Sequence, residues 1–344
     1  MKGRPLTSCV ALVRCSGSTV LHLPCPDRGP LVSLCGRTGL GPAGVLGVRD
    51  TVCRLCPRSR HASTVLLALA DRTLIQTSGG KDSLAAAIVV MGAARRAGTA
   101  DRVLMVHADL GEAEWPGTQA LVERHASFFG VPLVVRARAG GFIGMVEVRG
   151  KFPDAQRRLC TSSLKRDLLA VVFTEATVDL GDLGRPALLL SVMGFRAEES
   201  PSRAKRELLS IDRRASNGRR IVLQWAPVHA YSTAQVWGSI AAAGAEYHPA
   251  YDMGNRRLSC TFCVLAGFED LVLAARLRLT LAARYVALEA AVQHRFKPGL
   301  SMAEVYAEAV RRGPLTDWRI GDVLARYVGP ATADSYRRRY AIAA

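Results

Sequence analysis

The feature that most constrains the fold is a six-residue glycine turn between an apolar run and an Ala-rich run. The apolar run is Thr73-Leu74-Ile75-Gln76-Thr77, the turn is Ser78-Gly79-Gly80-Lys81-Asp82-Ser83, and a Pro-free segment continues from Leu84 to Arg96. This order predicts a strand, a turn and a helix. Glycines there allow close approach of an anion to backbone N–H groups and to the positive helix end. The turn therefore predicts a phosphate-binding loop, although a plain strand-to-helix turn with a capping serine is the alternative.

Further apolar runs alternate with helical segments along the chain. Strand-length runs are Val65–Ala70, Arg102–His107, Val131–Val135 and Leu188–Val192, and Ala120–Phe129 has the composition of a helix. Strands that alternate with helices are typical of βαβ units. We therefore predict an α/β fold with a doubly wound parallel sheet. Phe268–His294 is also helical in composition, and the Arg-rich Arg337–Tyr340 stretch is expected to end a surface helix.

The sequence divides into three regions by composition. Residues 1–64 are rich in Cys, Arg, Gly and Pro without a sustained period, and we expect a poorly structured extension. Residues 65–267 are predicted to form the nucleotide-binding domain with the cysteine site, and residues 268–344 a helical basic region. The Cys53-x-x-Cys56 pair has the spacing of a metal knuckle, but no second pair follows nearby to complete four ligands.

Net charge and cysteine usage limit the classes of partner and compartment. The formal charge of +17 favours polyanionic partners such as nucleotides, nucleic acid or an anionic membrane surface. No apolar run reaches the roughly 18 residues of a membrane span, so no membrane partner is expected. The odd count of nine cysteines fits thiol or metal chemistry in a reducing compartment, and we expect a cytoplasmic protein.

Several segments, in this order, carry a resemblance to a known superfamily. The hexapeptide at residues 78–83 resembles the PP-loop of the N-type ATP pyrophosphatases, within the phosphoadenylyl-sulfate (PAPS) reductase-like superfamily. His107–Gly111 followed by Trp115–Thr118 is similar to the family's aspartate-glycine loop, and Trp225–Val228 with Val236-Trp237 resembles its tryptophan-containing segment. Gly194–Arg206 resembles a block of the sulfate adenylyltransferase small subunit and of DNA phosphorothioation sulfurtransferases. The resemblance covers about residues 70 to 270 and implies an adenine nucleotide alpha hydrolase-like fold.

The resemblance also implies roles for individual residues. The family's catalytic positions correspond to Lys81, Asp82, Asp109 and Arg196, and ATP with Mg²⁺ is the expected cofactor pair. Nucleotide binding is expected at Ser78, Gly79, Gly80, Lys81, Asp82, Ser83 and Arg203. Lysine offers a point charge to the β- and γ-phosphates, and arginine forks suit phosphate or sulfate oxygens. The alternative for the two arginines is surface salt bridging with Glu198, Glu199 and Glu207, because Arg and Glu alternate densely there.

Three cysteines match the family's cysteine positions: Cys160, Cys260 and Cys263. Three thiolates suit iron–sulfur or zinc and leave one position of the metal open. The residues leave three alternatives: a [4Fe–4S] cluster, a zinc site completed by His229 or His248, and inert thiols without metal. With a four-iron cluster, the resemblance implies that the open iron holds a sulfide for transfer.

The resemblance implies an ATP-dependent adenylating sulfurtransferase that cleaves ATP to AMP and pyrophosphate and acts on a substrate such as nucleic acid. A sulfur-donor protein such as a cysteine desulfurase is the implied partner. No cysteine follows Cys263, whereas true PAPS reductases use a cysteine near their C-terminus. The alternatives are a PAPS or adenylyl-sulfate reductase of sulfate assimilation and a non-catalytic nucleotide sensor.

Overall fold

A six-stranded sheet forms the centre of the molecule in this computed structural model, which describes residues 61–313 and 315. It also describes short stretches before them, at 13–14, 20–21, 23–25, 29–33, 41–42 and 51–52. The strands of the sheet are β1 (Arg72–Thr77), β2 (Val103–Asp109), β3 (Leu133–Ala137), β4 (Ala187–Val192), β5 (Leu209–Ile211) and β6 (Arg220–Trp225). Their spatial order is β5-β6-β4-β1-β2-β3, and only β5 runs antiparallel to its neighbour.

Helices cover both faces of this sheet. They are α1 (Ala62–Leu69), α2 (Lys81–Ala97), α3 (Thr118–Phe129), α4 (Gly141–Arg149), α5 (Asp167–Asp179), α6 (Thr233–Ala243), α7 (Phe268–Leu277), α8 (Leu279–Ala291) and α9 (Met302–Arg311). Helices α1, α2 and α6 share one apolar cluster with one face of the sheet, and α5 packs on the other face. The predicted doubly wound α/β fold is therefore confirmed, and a helical region follows it.

A second apolar core lies beside the sheet. Helices α4, α7, α8 and α9 bury their apolar faces around the Tyr285 ring, which stacks with Phe142 and meets Phe262 edge to face. The loop after β2 contributes Trp115 to the same core. None of the helices in the described part of the chain is long and apolar enough to cross a membrane.

The run Val65–Ala70, predicted as strand-length, is wrong as a strand because it lies in helix α1 and its cap. A six-residue run of Leu, Ala and Val does not separate a strand from a buried helix, and Ala and Leu favour helix. The predicted helix Phe268–His294 is two helices that meet at Arg278, whose φ of −138° and ψ of 61° interrupt the α geometry.

Several predictions fall on residues that the structure does not describe. Cys53, Cys56 and the tail Arg337–Tyr340 belong to these, and so does most of the predicted extension at 1–64. Within that extension the described pieces are the short strands Val13–Arg14, Val20–Leu21, Pro24–Cys25, Gly29–Ser33, Gly41–Pro42 and Thr51–Val52. Helix α1 also begins inside it, at Ala62.

Strand order places a crevice at one edge of the sheet. From β1 the chain proceeds outward through β2 and β3, whereas β4 and β6 lie on the other side of β1. In open α/β sheets ligands bind at such a reversal, outside the carboxyl ends of the strands. Here those ends lead into Ser78 after β1 and Met193 after β4.

Candidate active site

The glycine turn lies at this reversal point and opens directly into α2. Gly79 has a φ of +69°, which a residue with a side chain rarely adopts, and Gly80 begins the helix without a side-chain cap. The first N–H groups of a helix have no intrahelical acceptor and favour an anion. A Cβ on Gly194, which follows β4, would lie 2.5 Å from the Ser83 backbone, so the chain after β4 packs directly against the turn.

Lys81 is the central cation of the turn. Its side chain is nearly buried, its Nζ donates to Asp82 Oδ2 at 2.9 Å, and Nζ lies 3.5 Å from the Arg256 carbonyl oxygen. The Nζ atom also lies 5.5 Å from the centre of the Tyr251 ring, within cation–π range. The lysine is thus held by protein groups, and a phosphate must exchange with them to reach it.

Tyr251 is a residue of this site that the sequence did not reveal as functional. Its hydroxyl accepts the Lys81 N–H at 2.9 Å and lies 3.5 Å from the position of a Cβ on Gly80. Ser83 closes the other side, since its Oγ accepts from the Ser78 N–H at 3.3 Å and donates to the Gly80 carbonyl at 2.8 Å. Some donors of the turn are therefore already occupied.

Arg196 lies against the turn, and its guanidinium faces protein groups. Its Nε donates to Asp82 Oδ1 at 2.6 Å, and its other nitrogens donate to Glu198, the Tyr231 carbonyl and Thr233 Oγ1. Only 3% of Arg196 is exposed. The structure brings Lys81, Asp82 and Arg196 into one chain of ion pairs. Of the salt bridges considered for the two arginines, it shows Arg196 with Glu198 and Arg203 with Glu199. The predicted role of Arg196 toward phosphate stays a prediction.

Arg203 is likewise engaged in an ion pair. Its guanidinium donates to Glu199 Oε2, and the other oxygen of Glu199 accepts from Arg257 at 3.0 Å. Glu199 also accepts the Arg196 N–H at 2.7 Å, so one half-buried carboxylate contacts three arginine residues. The predicted nucleotide contact of Arg203 stays a prediction.

Asp109 stands at the carboxyl end of β2, next to β1. Its Oδ1 accepts the Gly111 N–H at 2.8 Å, and its ligand atoms lie within 4.8 Å of those of His107 and Glu114. Burial lowers the pKa of His107, but Glu114, the Thr77 carbonyl and Asp109 together raise it, and the net shift is upward. Sequence reasoning found Asp109 but missed these two neighbours.

The three cysteines come from distant segments into one region beside the second core. Burial raises the pKa of Cys260 to about 12, and the neighbouring thiols Cys263 and Cys160 add to that rise while Lys165 opposes it. Among described residues, however, these sulfurs are not a set whose atoms all lie within 4.8 Å of one another. Their role as metal ligands stays a prediction.

The histidines considered for a zinc site are engaged elsewhere. His248 Nδ1 accepts the Ala250 N–H at 3.1 Å, and its Nε2 lies 3.2 Å from the Pro116 carbonyl oxygen. Burial lowers the pKa of His248 to about 4, so the ring is neutral near pH 7. His229 Nε2 lies 3.0 Å from the Arg203 carbonyl oxygen. Their contacts argue against the zinc alternative.

The fold and the loop define a nucleotide-binding α/β protein of the PP-loop type. The family model described as "Phosphoadenosine phosphosulfate reductase domain" matches residues 72–266, which is more than half of the chain. The chain therefore belongs to this PAPS reductase family, and the superfamily resemblance of its motifs is confirmed.

Solved structures with some similarity include three with low identity. PAPS reductase from Candida auris, in a phosphate complex, has 16% identity and a TM-score of 0.39, with 58% of this chain and 87% of that chain covered. FMN adenylyltransferase from Candida glabrata has 10% identity, a TM-score of 0.37 and coverages of 79% and 82%. The U34-tRNA thiolase NcsA from Methanococcus maripaludis, with its [4Fe-4S] cluster, has 10% identity and a TM-score of 0.35, with 92% of this chain and 95% of that chain covered. No curated protein matches the sequence.

Proposed function

We propose that this protein is an ATP pyrophosphatase that adenylates an acceptor and thereby prepares it for sulfur transfer. The observation that carries the proposal is the intact Ser78–Ser83 turn at the uncapped start of α2, with Lys81 at its centre. The acceptor oxygen attacks the α-phosphorus of ATP, the bond to pyrophosphate breaks, and a sulfur nucleophile then displaces AMP. Lys81 and the N–H groups of the turn stabilise the charge on the phosphate oxygens, and Mg²⁺ accompanies the nucleotide.

The cysteine region fits a [4Fe–4S] cluster better than one metal ion. Tetrahedral zinc with Zn–S bonds of about 2.3 Å would hold its sulfurs about 3.8 Å apart, whereas in a cluster each cysteine binds a different iron. The Tyr285 hydroxyl, among the described residues, is buried without a hydrogen-bond partner. After burial, Cys260 is the largest cause that raises the pKa of Tyr285, so this hydroxyl lies near the thiols. Cys160, Cys260 and Cys263 would hold the cluster, which supplies an open iron for sulfide.

A polyanionic acceptor is supported by the charge around Cys160. Five exposed basic side chains lie in this stretch of the chain: Lys151, Arg157, Arg158, Lys165 and Arg166. Lysine and arginine near a reactive site neutralise phosphates and make binding salt-dependent. We therefore propose nucleic acid as the acceptor class.

The decisive experiment measures pyrophosphate released by the full-length protein from ATP and Mg²⁺, with and without RNA or DNA. Release that depends on nucleic acid and disappears in Lys81→Met is the expected result. Absence of pyrophosphate with every nucleic acid would contradict the proposal, and thioredoxin-dependent sulfite release would assign a reductase instead. Tight ATP binding without turnover would indicate a sensor.

A second experiment tests the acceptor surface separately. Reversing Arg157 and Arg158 to Glu is expected to weaken nucleic acid binding and to lower its salt slope, while ATP binding stays unchanged. The matched control reverses Arg213 and Arg214, an exposed pair in the turn before β6. Equal effects of the two pairs would show that only net charge matters.

A further inference from the structure

One cluster at the carboxyl edge of the sheet contains Asp109 together with two residues to which the resemblance gives no role, His107 and Glu114. His107, Asp109 and Glu114 are the group of potential ligands, within the part of the chain that the structure describes, whose ligand atoms all lie within 4.8 Å of one another. His107 and Asp109 point from the same strand, two residues apart, and Glu114 comes from the loop that follows. Two carboxylates and one imidazole thus converge beside the strand that leads into Ser78.

The His107 ring is fixed in a way that leaves one nitrogen pointing into this cluster. The side chain is 1% exposed, and Nδ1 lies 3.1 Å from the Thr77 carbonyl oxygen. A carbonyl oxygen only accepts, so Nδ1 carries a proton and donates it there. Nε2 is buried and makes no hydrogen bond of good geometry with any described residue, although it lies 3.2 Å from Glu114 Oε2.

With Nδ1 protonated, Nε2 faces a carboxylate oxygen of Glu114, and this contact is favourable when a positive charge stands between the two atoms. A proton takes this place when His107 is charged, and a metal ion can replace that proton. Histidines that bind metals usually donate their other N–H to a backbone carbonyl or a carboxylate, as Nδ1 does here toward Thr77. The hydrogen bond that would orient His107 as a metal ligand, from Nδ1 to the Thr77 carbonyl, is therefore already formed.

The distance between His107 Nε2 and Glu114 Oε2 and the contacts of the loop also suit a metal ion. Bonds of about 2.1 Å place adjacent ligand atoms about 3.0 to 3.4 Å apart, and the Nε2 to Oε2 distance of 3.2 Å lies in this range. Asp109 uses Oδ1 for the Gly111 N–H, which leaves Oδ2 for a cation. Arg278 donates to the carbonyl oxygens of Glu112 and Glu114, so the loop that carries the third ligand is held in place.

We propose that His107, Asp109 and Glu114 bind one divalent transition-metal ion through an imidazole nitrogen and two carboxylate oxygens. A mixed nitrogen and oxygen ligand set suits cations such as Mn²⁺ and Zn²⁺. This ion would be separate from the Mg²⁺ that accompanies the nucleotide and from the cysteine region. It would tie the end of β2 to the loop that follows it, beside the end of β1. The proposal does not depend on adenylation or on sulfur transfer.

The test uses Mn²⁺ as probe, because Mn²⁺ prefers oxygen and nitrogen to thiolate ligands. Metal-free full-length protein without nucleotide is titrated, and the loss of the free Mn²⁺ electron paramagnetic resonance signal counts the bound ions. One ion per chain is expected, with affinity at least about 10-fold weaker in Glu114→Gln. The matched control is Glu112→Gln, an exposed carboxylate of the same loop that pairs with Arg284, and its affinity should be unchanged.

A second measurement identifies the ligand directly and does not depend on how well a variant folds. Pulsed electron paramagnetic resonance of the Mn²⁺-loaded wild-type protein should show coupling to one imidazole nitrogen. A protein with Cys160, Cys260 and Cys263 all changed to Ser should bind Mn²⁺ as the wild type does. Failure to bind Mn²⁺, binding without nitrogen coupling, or equal affinity in Glu114→Gln and Glu112→Gln would each overturn the proposal.

Discussion

The phosphate-binding turn and the cysteine region differ in how their residues come together. The turn consists of six consecutive residues that are ordered by the start of α2 and by contacts with Tyr251 and Arg196. The cysteines come from segments about one hundred residues apart, and their sulfurs are not all within 4.8 Å of one another. The first site is completed by the fold itself, whereas the second, under the proposed function, would be completed only by its cluster, because metal binding is coupled to folding.

Gly194→Ala is expected to have the largest effect on stability, because it disturbs the packing against the phosphate-binding turn. The new Cβ would lie 2.5 Å from the Ser83 backbone, and backbone atoms cannot turn away as a side chain does. We expect a loss of about 4 kcal/mol or more in the free energy of unfolding, above the usual overpacking cost. Urea unfolding measures it. Gly218→Ala, where a Cβ meets nothing within 4 Å, is the control and should change stability little.

Acid is expected to destabilise the fold through the buried His248. Burial lowers the pKa of His248 in the folded protein to about 4, below its ordinary value of 6.5. This neutral histidine therefore contributes its full stability above pH 6.5, and the contribution is lost as pH falls toward 4. The difference of 2.5 pKa units corresponds to about 3 kcal/mol.

The measurement is the free energy of unfolding between pH 7 and pH 4 in the wild type and in His248→Asn. The Asn side chain still accepts the Ala250 N–H but does not titrate, so its profile should be flatter by about that amount. Parallel profiles would mean that His248 does not control this dependence.

Lys81→Met tests whether the phosphate-binding turn binds a nucleotide. Removing the cation from the phosphates should slow pyrophosphate release by about 100-fold or more, equivalent to about 2.7 kcal/mol. Asp82 keeps its ion pair with Arg196, so the protein should remain folded. Lys205→Met, which removes an exposed lysine, is the control. Equal rates in the two variants would remove Lys81 from the site.

Tyr285→Phe probes the cysteine region and should have the smallest effect on stability. In metal-free protein the buried hydroxyl, within the described chain, has no hydrogen-bond partner, so its removal should stabilise the fold by about 1 kcal/mol. Tyr247→Phe should instead destabilise the fold, because the Tyr247 hydroxyl donates to Asp252 Oδ1 at 3.0 Å and this hydrogen bond would be lost. Thermal unfolding compares them. A destabilised Tyr285→Phe would show that the hydroxyl is satisfied.

Local patterns predicted the parts of the fold that neighbouring residues determine. The strand before Ser78, helix α2 and the strands β2 and β4 follow from apolar runs and glycine positions. The same criterion missed β6, although Arg220–Trp225 is largely apolar, and β5 is only three residues long. The error in α1 arose because a short apolar run fits a helix as well as a strand.

The candidate site could be predicted only in its consecutive part. The contact of Tyr251 with Lys81 joins residues 170 positions apart, which no local pattern encodes. Arg196 was singled out from the sequence, but the sequence could not decide between a phosphate and a neighbouring carboxylate, because arginine pairs with either. The His107 and Glu114 side chains of the carboxyl-edge cluster were missed, since their convergence depends on the path of the loop after β2.

The segment from His248 to Cys263 passes both sites within sixteen residues. Near its start, Tyr251 accepts the Lys81 N–H and the Arg256 carbonyl faces Lys81 Nζ, and at its end stand two of the three cysteines. If Lys81 moved toward a bound phosphate, its contacts with Tyr251 and Arg256 would break, or these two residues would move with it. One short peptide segment therefore connects the contacts of Lys81 with Cys260 and Cys263.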